Sequence, residues 1–138
     1  MEASTITTHH PVMGQDLNHH GTLYAARTTS WFVEAGFIAA ASLTRPENIV
    51  CVKIHDMTFL KPVQKGEILK LESKVVLTGR TSLVVYVQGM VGAELVLKGF
   101  LSFVNVDREG RPQPHGATIT PGNEMDDVLQ QQARALRK

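Results

Sequence analysis

From Thr22 to Leu43 the chain runs 22 residues without a proline, with six alanines and with bulky apolar residues on every side of a helical wheel: Leu23, Tyr24, Trp31, Phe32, Val33, Phe37 and Ile38. A helix that is apolar all round has no solvent face, so other elements must surround it. Thr22 is expected to cap its start, and Pro46 stands just past its end. Only two formal charges fall inside, Arg27 and Glu34. They are two turns apart and share a face with Ser30 and Trp31, so Glu34 is expected as a buried carboxylate within reach of Arg27 or Ser30.

What surrounds the helix follows it in the sequence. Four strand-like runs come next, Ile49–Lys61, Glu67–Thr78, Ser82–Val91 and Glu94–Val106. In the second, Leu69, Leu71, Val75 and Leu77 alternate with Lys70, Glu72, Lys74 and Val76, which gives one face to bury. The breaks are short and hold turn formers: Pro62 to Gly66, Gly79-Arg80 and Gly92-Ala93. Short connections favour antiparallel neighbours. The expected class is α+β, an antiparallel sheet wrapped around one long central helix. Before the helix, the first twelve residues read as an edge strand ending near Met13, followed by a loop over Gly14 to Gly21. After the sheet, Arg108–Gly122 reads as a linker. The tail from Asn123 reads as an amphipathic helix, with Asp126 and Asp127 near its start and Arg134, Arg137 and Lys138 near its end. Met125, Val128, Leu129 and Leu136 form its apolar stripe. The boundaries drawn are one domain over 1–122 and a helical tail over 123–138; a chain of 138 residues suits one domain.

Charge narrows the partners. Fourteen basic and 13 acidic side chains leave a formal net charge of +1, which gives no electrostatic reason to expect nucleic acid or an anionic membrane. The longest apolar stretch, Trp31 to Leu43, contains Glu34 and falls short of the roughly 20 residues of a membrane span. Met1 to Thr5 has neither a basic n-region nor an apolar h-region, so no signal peptide is expected. The single cysteine, Cys51, lies in the apolar run Ile49-Val50-Cys51-Val52 and reads as a small buried hydrophobe in a reducing cytoplasm. The pairs His9-His10 and His19-His20 lack a third and fourth ligand at a useful spacing, so no metal site is expected. His55, in mid-strand, reads as structural.

Several stretches resemble the hotdog acyl-CoA thioesterases. The first is Asp16-Leu17-Asn18-His19-His20-Gly21-Thr22-Leu23-Tyr24-Ala25-Ala26 followed by Trp31-Phe32-Val33-Glu34-Ala35-Gly36. It is similar to the family's Asn-x-x-Gly loop, its aromatic-small-small step into the helix, and its helical acid beside an alanine. Phe59-Leu60-Lys61-Pro62-Val63 with Gly66-Glu67, Gly79-Arg80-Thr81-Ser82, and Phe103 to Asp107 with Gly110-Arg111-Pro112 resemble later family segments, in the family's order. The resemblance implies a hotdog fold and hydrolysis of acyl-CoA thioesters to free acid and coenzyme A, with no cofactor. It implies a homo-oligomer (a dimer, a dimer of dimers or a trimer of dimers) with its active site at a protomer interface. Related architectures include hydroxyacyl-CoA hydratases and dehydratases and acyl-CoA-sensing modules without catalysis, so both stand as alternatives. The chain also departs from the pattern. The usual helical acid would fall twelve residues after Gly21, at Val33, with Glu34 one further, and Ala25-Ala26 replaces the common Gly-Gly.

Thioester hydrolysis needs an activated water or nucleophile and donors for the developing oxyanion. Glu34 is the expected base, with Asn18 orienting water or carbonyl, from the opposite protomer if the site is shared. Helix-start amides around Gly21, Thr22, Tyr24 and Ala25 are the expected oxyanion donors. The alternative for Asn18 is an Asx turn or cap. By the resemblance, Arg80, Thr81 and Ser82 meet a phosphate of coenzyme A, a contact that suits the planar guanidinium. In a dehydratase, His19 or His20 would instead carry the acid-base role.

Overall fold

A computed structural model describes residues 2–136. Five strands form one antiparallel sheet, β1 (Ile6–Pro11), β2 (Ile49–Phe59), β3 (Ile68–Thr78), β4 (Ser82–Val91) and β5 (Glu94–Asn105), in the order β1-β3-β4-β5-β2. Helix α1 (Ala25–Ala41) lies on one face and α2 (Glu124–Leu136) on the other. The tight β3–β4 and β4–β5 turns put these strands side by side. The long excursion through α1 separates β1 from β2 and sends them to opposite edges.

The face under α1 carries the main core: Leu69, Leu71 and Val75 of β3, Leu83, Val85 and Val87 of β4, and Leu97, Leu101 and Phe103 of β5. Phe32, Ala35, Ala39 and Ala40 press onto it from the helix. Two glycines allow the close approach. A Cβ on Gly36 would lie 3.0 Å from the Leu101 side chain, and one on Gly99 would run into the Asp56 carbonyl and the Phe32 ring. Ser73 is the polar exception on this face, donating to the Ala35 carbonyl at 2.8 Å and so tying strand to helix. The opposite face holds a smaller cluster of Val76, Leu77, Val84 and Phe100, covered by Leu129 and Ala133 of α2. Lys74 anchors α2 through Asp126 at 2.8 Å.

Four expectations change. Helix α1 begins at Ala25 with Tyr24 as its N-cap. Thr22 instead forms a bridge with Gln64, because its amide and hydroxyl are held by Asn18. A bulge between Val75 and Leu77 resets the alternation of β3, so Leu77 joins the α2 cluster instead of continuing the α1 face. Cys51 is exposed, since β2 is an edge strand paired on one side only. Of the tail's apolar stripe, Leu129 and Leu136 pack on the sheet while Met125 and Val128 stay exposed. Arg137 and Lys138 lie outside the described residues.

Candidate active site

Where β2 ends and α1 begins, a cavity of about 320 Å³ opens between the loop and the sheet, lined by Asn18, Thr22, Ala25, Thr28, Phe59 and Leu97 among others. Asn18 organises its wall. The Asn18 Oδ1 accepts the amides of His20 at 2.9 Å and Thr22 at 3.2 Å, and its Nδ2 donates to the Thr22 hydroxyl at 3.1 Å. Gly21 turns the loop at φ 80°, a conformation that suits glycine, and its amide returns to the Asn18 carbonyl at 3.1 Å. Asn18 therefore makes the Asx turn and also faces the cavity.

The same closure decides which amides stay open. Those of Gly21 and Thr22 go to Asn18, that of Leu23 to the Val63 carbonyl and that of Tyr24 to the Asp16 carbonyl. The first intrahelical bond runs from Thr28 to the Tyr24 carbonyl. Ala25, Ala26 and Arg27 thus hold the orphan N–H groups of the helix start, with no acceptor among the described residues. Ala25 also lines the cavity, so donor capacity concentrates one step later than Gly21, Thr22 and Tyr24.

Asp16, which the sequence reading did not single out, fixes this corner. It is 6% exposed, accepts the Met13 amide at 2.9 Å and pairs with Arg27 Nε at 3.2 Å. Arg27 is thereby committed to a residue eleven positions back, a pairing that helical spacing cannot reveal.

Glu34 is exposed and has no hydrogen bond or ion pair among the described residues. Its charge acts on His10 of β1, whose ring stacks on Trp31 at 4.5 Å. Burial pushes the His10 pKa below its ordinary value, and the Glu34 and Asp16 charges oppose that. Glu34 therefore occupies the β1 side of α1 and does not line the Asn18 cavity. Val33 sits about 100° around the helix. It lies one turn after Thr29, whose hydroxyl contacts Met57 of β2, so Val33 shares the β2-facing side.

Arg80, Thr81 and Ser82 sit at the other end of the sheet. Ser82 pairs with Val104, whereas the Asn18 cavity reaches β5 at Val96 and Leu97. Seven residue steps along β5 take Leu97 to Val104, roughly 24 Å at about 3.4 Å per residue. Arg80 is exposed, and its side chain has no partner among the described residues. The His19 and His20 rings meet at 3.9 Å, tilted by 42°, outside the Asn18 cavity, and His55 is hydrogen-bonded to Ser102.

A sequence profile described as the Thioesterase superfamily matches residues 20–96, more than half of the chain. The chain belongs to the thioesterase superfamily. Among curated proteins it is 33% identical over 105 residues to the uncharacterized acyl-CoA thioester hydrolase YkhA of Bacillus subtilis, a match covering 72% of this chain and 60% of that protein. The chain thus spans 60% of the length of the curated relatives it matches. Among solved structures, an apo hexameric acyl-CoA thioesterase superposes with a TM-score of 0.89 at 28% identity, covering 98% of this chain and 89% of that one. The acyl-CoA hydrolase of Staphylococcus aureus, solved with butyryl coenzyme A, coenzyme A and coenzyme A disulfide, superposes at 0.87 with 26% identity, covering 98% and 82%. The antiparallel sheet around α1 is thus the hotdog fold of these thioesterases.

Proposed function

We propose that this chain binds acyl-CoA at a site shared between two copies and hydrolyses the thioester to free acid and coenzyme A. The carrying observation is that the Asn18 cavity and the Arg80–Ser82 turn occupy opposite ends of one sheet. An antiparallel pairing of two β2 edges would reverse the partner's sheet and bring its Arg80 end beside the cavity. β2 suits that role: it is an 11-residue edge strand with Val50, Val52 and Ile54 exposed at 45%, 56% and 42%. The hexameric acyl-CoA thioesterase supports self-association, and the coenzyme-bound hydrolase supports the ligand.

In this reading Asn18 and the amides of Ala25 and Ala26 hold the thioester carbonyl. The positive end of α1 stabilises the oxyanion that forms when water attacks. Arg80, with Thr81 and Ser82, receives the phosphates of the coenzyme. Glu34 is the helix carboxylate offered to the water. Lying exposed on the β1 side of α1, away from the paired β2 edges, it serves the cavity of a copy other than the β2 partner. Because other copies are needed for the phosphates and for the carboxylate, the protomer alone is inactive. A reducing cytoplasm fits the exposed, unpaired Cys51; no helix of the described residues is long and apolar enough to cross a membrane.

One observation favours a second reading. Among the described residues no carboxylate lines the Asn18 cavity, and the β2-facing helix position is Val33. A non-catalytic acyl-CoA-binding module would look the same. Free-thiol release from short, medium, long and aromatic acyl-CoAs separates the two. The hydrolase reading expects release by the native chain and about a 100-fold loss in Glu34→Gln, within the range for removing a general base. Ligand binding without thiol release would establish the module. Full activity in a folded Glu34→Gln would remove Glu34 from the chemistry.

A further inference from the structure

The Arg80 turn is held by a segment that thioester chemistry does not explain. All three carbonyls of Arg80, Thr81 and Ser82 are occupied. Arg80 O accepts the His115 amide at 3.3 Å and Thr81 O accepts the Asn105 amide at 2.8 Å. Ser82 O accepts both the Gly79 amide at 2.9 Å and the His115 ring at 3.0 Å. His115 Nδ1 accepts the Ala117 amide at 3.0 Å, so the ring proton sits on Nε2 and is donated to Ser82. The buried Asn105 side chain fastens the adjoining carbonyls of Gln113 and Pro114, both at 3.2 Å. One imidazole thus bridges the turn and the 115–117 loop, and its two nitrogens are both engaged.

Between turn and loop lies a cavity of about 390 Å³, with Gly79, Arg80, Pro114, His115, Gly116 and Ala117 in its walls. Arg80 is its unpaired cation, and no carboxylate lines it among the described residues. A site with a free guanidinium, small uncharged walls and its turn carbonyls turned to other partners fits a phosphate-bearing group. We infer that His115 is a positioning residue for the coenzyme end of the substrate: it clamps the 115–117 loop to the Arg80 turn, so that this cavity takes the nucleotide phosphates of coenzyme A. This rests on the reading of the protein as an acyl-CoA binder.

The test is calorimetric titration of the full chain with coenzyme A and with pantetheine, which lacks the nucleotide. His115→Ala is expected to weaken coenzyme A at least about 10-fold and to leave pantetheine within twofold. His115→Gln, which keeps a donor for the Ser82 carbonyl, is expected to recover most of the loss. In an Arg80→Ala background His115→Ala should add almost nothing, because the histidine acts through the arginine. Equal weakening of both ligands, or full additivity with Arg80→Ala, would overturn the inference, as would unchanged coenzyme A binding in a folded His115→Ala. Failure of the native chain to bind coenzyme A would instead overturn the underlying reading, and the inference with it.

Discussion

At the end of the sheet where α1 begins, the chain closes a loop on itself. Asn18, Gly21 and Asp16 consume the loop's own donors and acceptors, and the helix amides of Ala25, Ala26 and Arg27 are left open. At the other end a different solution appears. The Arg80 turn has its carbonyls satisfied by a distant segment, through His115 and Asn105, and its free group is a cation. The first end offers donors suited to a polarised carbonyl, the second a charge suited to phosphate. On the proposed reading neither is a whole site, and the protomer would carry two half-sites at opposite ends of its sheet, a division that calls for copies to pair.

The comparison breaks most severely at β2. Val52→Glu puts like charges against each other across a paired edge, at a position more than half exposed in the protomer. Like-charge juxtaposition costs several kcal/mol, so association and turnover should both fall about 100-fold or more, with circular dichroism unchanged. Sedimentation velocity beside the thiol assay reads this. An active monomer would show that one protomer holds a complete site.

A smaller effect comes from the face that neither half-site uses. Burial pushes the Asp126 carboxyl up, but the hydrogen bonds from Lys74 and the Gly122 amide and the Lys74 charge hold it below its ordinary 3.8. A folded-state pKa depressed in this way gives stability that is present above about pH 4 and lost as pH falls through the folded value. Asp126→Asn should therefore cost about 1–3 kcal/mol at pH 7, by thermal melts, and the cost should shrink as pH is lowered below the ordinary carboxylate range. Thiol release at pH 7 and 25 °C should stay within twofold. A large loss of turnover in this variant would mean that α2 belongs to the site.

The sequence carried the fold further than the site. Strand-like runs between short turn-forming breaks, with clear alternation in β3, located β2 to β5 within a few residues, and the all-round apolar stretch marked α1, because these patterns are local. Leu77 shows the limit: a single bulge moved it to the other face. Cys51 shows another, since apolarity reads as burial until strand order makes β2 an edge. At the candidate site, Asn18 stood out through the resemblance of its loop to the Asn-x-x-Gly loop of the thioesterases. Asp16 and His115 did not, because their roles arise from partners that only the folded chain supplies. The helix start was misjudged by three residues for the same reason, Thr22 being held by Asn18 rather than by the helix.

Subunit mixing tests the shared site most directly. Asn18→Ala and Arg80→Glu should each nearly abolish turnover at limiting acyl-CoA. Dissociated and reassociated together in equal amounts, half of the dimers would be mixed, and each mixed dimer would hold one intact site of two. The account predicts recovery to about a quarter of the native rate. No recovery, with mixed dimers demonstrated by mass, would mean that each protomer works with its own residues and would contradict the account.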